Sequence, residues 1–363
     1  MTEAAPELPR SGSRWALGLR IVVSVSLLAF LASKASGVDD AIPDQHGGTT
    51  LALLAAAVLT ALIGVVFSAW RWQRVLLLFD VRVRLRTLFS HYVVGLLVGN
   101  VLPSTIGGDV VRVARASNTV GSAEVSFASV VLERLTGFVA LPLLVFAGFA
   151  IEPSLLGRSH AWIAMLVGVL TLALLAIILF AAGHPRLAGR FTNRSEADLL
   201  AQSAEPHDDE ESSAPKGVLA RLRAALKSWT RFIGVVHVGV ERLRREPRQI
   251  VPVIGTSLLF QASQVAMFGL IFRALDLPVP IAAVVAFSPA VLMLQVLPIT
   301  VSGLGVREGA LVLFLRSFGV SNAQAGAAGL LWWGCMILVS MIGAPAFAAG
   351  GGRRTGTSTK EHV

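Results

Sequence analysis

Two short stretches of this 363-residue chain gather most of the groups that could do chemistry. The first, NVLPSTIGGDVVR, runs from Asn100 to Arg112, and the second, QVLPITVSGLGVRE, runs from Gln295 to Glu308. Val101, Leu102, Pro103, Thr105, Gly108, Val111 and Arg112 recur 195 positions later as Val296, Leu297, Pro298, Thr300, Gly303, Val306 and Arg307. Asn100 and Gln295 match amide for amide. Shared Val, Leu and Gly arise readily between apolar stretches. Pro, Thr, Arg and an amide at fixed spacing do not, so the pair reads as an internal duplication.

The residue types suit recognition of a charged headgroup. Pro103, Gly107 and Gly108 interrupt a helix, and an interrupted helix leaves backbone N–H and C=O groups unpaired. A helix start with free N–H groups attracts anions. Arg112 and Arg307 add fixed cations whose planar donor forks match phosphate. Thr105, Thr300, Asn100 and Gln295 offer neutral hydrogen bonds. Asp109 and Glu308 sit beside the arginines and can neutralise them while the site is empty. Glu133-Arg134 is a third charged pair inside an apolar stretch. From a helix start near Val125 it lies about 13 Å deep, within reach of the same polar cluster. A later entry into lipid, at Leu135, would instead leave the pair interfacial, and the sequence leaves both readings open.

Other chemistries find no support. The seven histidines are scattered, and no Ser/His/Asp ordering, phosphate loop or dinucleotide fingerprint occurs. Cys335 is the single cysteine, so no disulfide within the chain and no Cys/His metal spacing is available. No metal or other cofactor is expected. The acidic run Asp208–Glu211 reads as a solvated linker.

The elements that must hold these groups are membrane helices. Hydrophobic residues make up 54% of the chain and charged residues 15%, against about 25% charged in soluble proteins. Mean hydropathy is +0.71. Apolar spans of bilayer length are expected at about Trp15–Ala32, Leu51–Ala69, Val125–Ile151, Ala161–Ala182, Ile250–Phe272 and Ala323–Ala349. The first also fits a signal peptide. Residues 88–116 and 281–318 are the broken segments. Broken backbone at membrane depth is tolerated where protein buries it, which predicts two re-entrant hairpins. The fold class is therefore all-α: a polytopic helical membrane protein whose re-entrant segments form an inverted-topology internal repeat.

Charge sets the predicted orientation. Arg71, Arg74, Arg82, Arg84 and Arg86 against Asp80 mark a cytoplasmic joint, which puts residues 1–14 and the tail 350–363 in the cytoplasm. The net charge of +9 reflects this flanking and contact with anionic lipid; no nucleic-acid partner is expected. The halves 15–182 and 250–349 are joined by a cytoplasmic linker, 183–249. Within it, 205–216 is acidic and expected to be disordered. Residues 217–246 carry Leu219, Leu222, Leu226, Trp229, Ile233, Val236, Val240 and Leu243 at helical spacing. They predict an amphipathic helix on anionic headgroups, on the protein itself or in a dimer seam.

Three ordered motifs, LPSTIGGDVVR, VVLERLTG and LPITVSGLGVREG, resemble the lysylphosphatidylglycerol-synthase transmembrane, or flippase-like, family from about residue 15 to 349. The resemblance implies a prokaryotic cytoplasmic-membrane protein handling amphipathic lipids. In two-domain members of that family the membrane part flips an aminoacylated phospholipid made by a soluble C-terminal aminoacyltransferase. No such domain follows Arg354 here, so a stand-alone translocator is expected. By motif position the resemblance carries over Asp109, Arg112, Glu133, Arg134, Arg307 and Glu308. The leading expectation is a lipid translocase that binds a membrane phospholipid or lipid-linked substrate. A membrane transferase using Glu308 or Asp109 as base is one alternative. A non-catalytic partner of a lipid synthase, recruited through 217–246, is another, and a small-solute carrier is the weakest. Homo-oligomerisation stays open.

Overall fold

The computed structural model describes residues 47–101, 107–183, 236–296, 303 and 305–350. The expected first span, the acidic linker, most of the amphipathic helix, the tail, and Thr105 and Thr300 lie outside the described residues.

Every regular element among the described residues is helical. In chain order these are α1 (Gly47–Leu77), α2 (Leu85–Val101), α3 (Gly107–Val120), α4 (Ala123–Ile151) and α5 (Ala161–Gly183). Then come α6 (residues 236–245), α7 (Ile250–Ala274), α8 (Ile281–Leu294), α9 (Val306–Leu315), α10 (Asn322–Met341) and α11 (Ala344–Gly350). Five of the described helices, α1, α4, α5, α7 and α10, are long and apolar enough to cross a membrane. The chain is thus an all-α, multi-pass membrane protein.

Outward faces confirm the solvent for which it is built. Trp162, Leu170, Ile177 and Phe180 of α5 are exposed, as are Leu51 and Leu59 of α1. A soluble monomer rarely shows so large an apolar surface, whereas acyl chains wet it at no cost. Inside, aromatic rings tie the helices together. Phe287 of α8 stacks on Phe314 of α9 with centroids 5.1 Å apart, and Phe149 of α4 meets Phe287 edge-on at 5.7 Å. Phe268 of α7 stacks on Trp332 of α10 at 5.8 Å.

Both recurring motifs fall at helix breaks. The first begins at Asn100, near the end of α2, and Arg112 lies in α3; the second begins at Gln295, just past α8, and Arg307 opens α9. At 17, 14, 14 and 10 residues, these four helices are each shorter than the roughly 20 residues a membrane crossing needs. α3 folds back tightly on α2 because glycines face each other there. A Cβ added at Gly108 would stand 2.5 Å from the Gly95 carbonyl oxygen and 3.2 Å from the Gly99 Cα. Small residues of this kind are what lets two helix backbones approach. In the second segment Gly303 (φ +74°) and Gly305 (φ +86°) turn the chain in the left-handed region that glycine tolerates.

Three expectations need correction. The second span does not stop at Ala69: α1 runs on through Trp70-Arg71-Trp72 to Leu77, so Arg71 is not part of a solvated joint. The first broken segment is longer at both ends, beginning at Leu85 and ending at Val120. The last span is split at Ile342 and Gly343, where a Cβ at Gly343 would collide with the Val93 carbonyl of α2, and α11 departs after the break.

Candidate functional site

Glu133 is the centre of a charged network built from α1, α3 and α4. Ser122 starts α4 by accepting a hydrogen bond from the Val125 N–H at 3.1 Å. From the helix start at Ala123, Glu133 is then about 15 Å along the axis, and it is 1% exposed. Glu133 is thus buried within the protein, close to the first broken segment. Arg134 is the next residue round the helix, and its side chain is 47% exposed.

An isolated carboxylate at such a position would be costly. Three partners offset the cost. Arg71 of α1 grips Glu133 Oε1 through both Nε, at 2.9 Å, and a second guanidinium nitrogen. Ser68, one turn earlier on α1, donates to the same oxygen at 3.0 Å. With that proton used, the Ser68 oxygen is left to accept from Arg71 at 3.1 Å and from the Tyr92 hydroxyl of α2 at 2.9 Å. Arg112 of α3 approaches the other oxygen, Oε2, at 3.3 Å. Gly137 of α4 makes room for Arg71, since a Cβ there would lie 2.6 Å from a guanidinium nitrogen.

Arg112 is held differently. Its guanidinium lies over the Trp72 ring, 4.5 Å away, and the Tyr92 ring, 4.3 Å away. Two ring faces stabilise a cation without neutralising it. Asp109, one turn back on α3, is 3.4 Å from Arg112 but 2.5 Å from Arg134 Nε.

A cavity of about 260 Å³ opens beside this network, and both broken segments line it. Asn100, Asp109 and Arg112 come from the first, Gln295 from the second, with Arg134 of α4 and Trp332 and Trp333 of α10. Asn100 Nδ2, Arg112 Nε, Gln295 Oε1 and both indole N–H groups have no hydrogen-bond partner among the described residues. Four of these five buried atoms are donors, and all five belong to residues that line the cavity. A larger hollow of about 580 Å³ lies between the α1–α2 turn and α6, beside Asp80, Arg82, Arg242 and Arg245. Asp80 and Arg245 there are open to solvent, so water competes for the charges that line it.

Arg307 and Glu308 do not line the cavity. Both are fully buried and pair with each other, and Glu308 also accepts from the Gly305 N–H at 2.6 Å, capping α9. Arg307 lies 4.9 Å from the Trp332 ring, on which it rests behind the cavity wall. Asp109 is consequently the one carboxylate lining the cavity among the described residues.

Arg71, Ser68, Trp72 and Tyr92 were missed from the sequence. The signal was present for Arg71: the apolar run resumes after it at Val75-Leu76-Leu77-Leu78-Phe79, as a continuing helix requires.

No curated protein and no solved structure matches the chain. A family model described as the lysylphosphatidylglycerol synthase TM region matches residues 15–343, a stretch that takes in both broken segments and every charged group of the network. The chain therefore belongs to the lysylphosphatidylglycerol synthase TM-region family, membrane proteins related to lipid modification or translocation.

Proposed function

We propose that this protein is a lipid translocase that takes the phosphate-bearing headgroup of an amphipathic lipid into the cavity between its two broken segments. The acyl chains stay in the bilayer, and Leu96, Val296 and Met336 supply the apolar part of the cavity lining. The observation that carries this reading is the Arg112 cation on the cavity wall, among lining residues whose unpartnered buried atoms are mostly donors. Phosphate oxygens are acceptors only, so they answer both the charge and the hydrogen-bond count. The cavity volume suits a headgroup and excludes a whole lipid. Asn100, Asp109, Arg112, Arg134 and Gln295 are the binding residues in this proposal. Arg307 and Glu308 hold the second break in shape.

In the same proposal the broken segments are re-entrant hairpins of an inverted-topology repeat. Both chain ends lie in the cytoplasm of a prokaryotic cell, and residues 217–246 rest on anionic lipid. The two-sided supply of lining residues supports it, since a site shared by two repeats can open to each leaflet in turn.

The test is a leaflet-sidedness assay. Purified protein in phosphatidylglycerol vesicles is followed by the access of a membrane-impermeant quencher to a fluorescent phosphatidylglycerol. Wild type is expected to equilibrate the leaflets and Arg112→Ala to lose most of that rate. Equal rates for the two proteins would refute the proposal. A membrane transferase is the other reading that a specific residue favours, because Asp109 is a carboxylate on the cavity wall. It requires a new covalent lipid product that disappears in Asp109→Asn.

A further inference from the structure

The network contains three arginines and two carboxylates, and the distances divide them unequally. Glu133 is taken by Arg71 through two nitrogens on one oxygen, and Asp109 is taken by Arg134 at 2.5 Å. Arg112 is left with 3.3 Å to Glu133 and 3.4 Å to Asp109. Charge-assisted contacts of this type ordinarily close to about 2.7–2.9 Å. Both carboxylates therefore have their preferred partner elsewhere, and Arg112 is the surplus cation. Its Nε has no partner among the described residues, its guanidinium carbon lies over the Trp72 and Tyr92 rings, and it lies on the cavity wall. The five groups sum to a single positive charge, which one phosphodiester anion would balance. The residues connecting each pair of helices at the breaks, 102–106 and 297–304, include no charged side chain to alter that sum.

We propose that Arg71 is a positioning residue whose task is to occupy Glu133 and so leave Arg112 available to the lipid phosphate. Arg71 does not line the cavity. It stands behind Glu133 on α1, with its remaining nitrogen against Gly137 and its guanidinium 5.1 Å from the Phe260 ring. Without Arg71, Glu133 carries a full unbalanced charge, and the nearest cation that can answer it is Arg112. Arg112 would close onto Oε2, the cavity would lose its surplus charge, and phosphate would bind weakly. This inference rests on the translocase reading of the cavity and adds to it a residue that touches no ligand.

The experiment is a double-mutant cycle on the full chain in detergent. Binding of dihexanoylphosphatidylglycerol is measured by calorimetry, with dihexanoylglycerol, which lacks the phosphate, as the control. Wild type is expected to bind the first and not the second. Arg71→Gln is expected to weaken binding about tenfold, a mid-range coupling for contacting charged residues. Arg71→Gln/Glu133→Gln is expected to recover affinity to near the wild-type level, because the charge that captures Arg112 has gone. A residue that merely braces α1 against α4 predicts the opposite order, with the double variant no better than the single. If Arg71→Gln does not fold, Glu133→Gln alone decides the matter: it is expected to bind phosphate at least as tightly as wild type. Weaker binding in Glu133→Gln, or wild-type binding in Arg71→Gln, would overturn the role given to Arg71 while leaving the translocase reading intact. Failure of wild type to prefer the phosphate-bearing lipid would remove the translocase reading and this inference together.

Discussion

The two broken segments share a motif and use its arginine in opposite ways. In the first, Arg112 reaches across to another helix, is shared between two carboxylates that prefer other partners, and faces a cavity. In the second, Arg307 binds the carboxylate of its own neighbour and is sealed from any solvent or lipid. The difference lies in what stands beside each arginine. Glu308 follows Arg307 directly and caps α9, so its charge is used within one turn of helix. Val113 follows Arg112, and the nearest acids are Asp109, three residues back, and Glu133, on the next helix. The recurring motif thus carries one arginine paired within its own helix and one shared between carboxylates on two helices.

The comparison predicts where stability and where binding will break. The largest effect is expected from Arg307→Ala, which strands Glu308 as a buried unpaired charge at a cost of about 3–5 kcal/mol. Thermal unfolding in detergent should show it, and Arg307→Met/Glu308→Leu should restore most of the loss. Arg112→Ala is expected to cost less stability, since both its carboxylates keep another arginine, yet to abolish phosphate-lipid binding. If the two alanine variants unfolded alike, the division of labour would fail.

Gly329→Ala is expected to come next. Its new Cβ would sit 2.8 Å from Glu308 Cγ and Oε1, and overpacking of this kind costs about 1–3 kcal/mol. The loss should appear in the melting temperature and not in lipid affinity measured below it, which keeps the second arginine structural.

Asn100→Leu and Gln295→Leu probe the place where the two segments do act alike. Each amide belongs to a cavity-lining residue and has an unpartnered atom, so each replacement is expected to remove about 0.5–1.5 kcal/mol of ligand binding with little change in folding stability. An effect from one amide alone would mean that the ligand meets a single segment. The smallest change in folding stability is expected from Arg134→Ala. Its side chain is half-exposed, and a solvated ion pair contributes up to about 1 kcal/mol to stability. Titration with salt should weaken the Arg134 contribution to lipid binding and leave the Arg307–Glu308 pair untouched.

Much of the architecture was legible because hydrophobicity is a local sum. Val125–Ile151, Ala161–Ala182 and Ile250–Phe272 were placed within two residues of α4, α5 and α7, since no distant partner is needed to make a run of Leu, Val and Ala prefer lipid. The same locality explains the error at Trp70-Arg71-Trp72. An arginine counted by its neighbours reads as a membrane flank, and only the helix facing it decides otherwise. Glu133, 62 residues away, is that partner.

The sequence by itself determined that this is a multi-pass helical membrane protein, that two breaks interrupt its spans at matching motifs, and which family it belongs to. These follow from composition, spacing and ordered motifs, which are properties of the chain taken in order. The tertiary structure decided that Arg112 lines a cavity and Arg307 does not, that Arg71 belongs to the network, and that Asn100 and Gln295 share one cavity. A charge in a low-dielectric interior takes its meaning from whatever lies within a few ångströms. For these residues those neighbours come from helices far apart in the chain, brought together by packing alone.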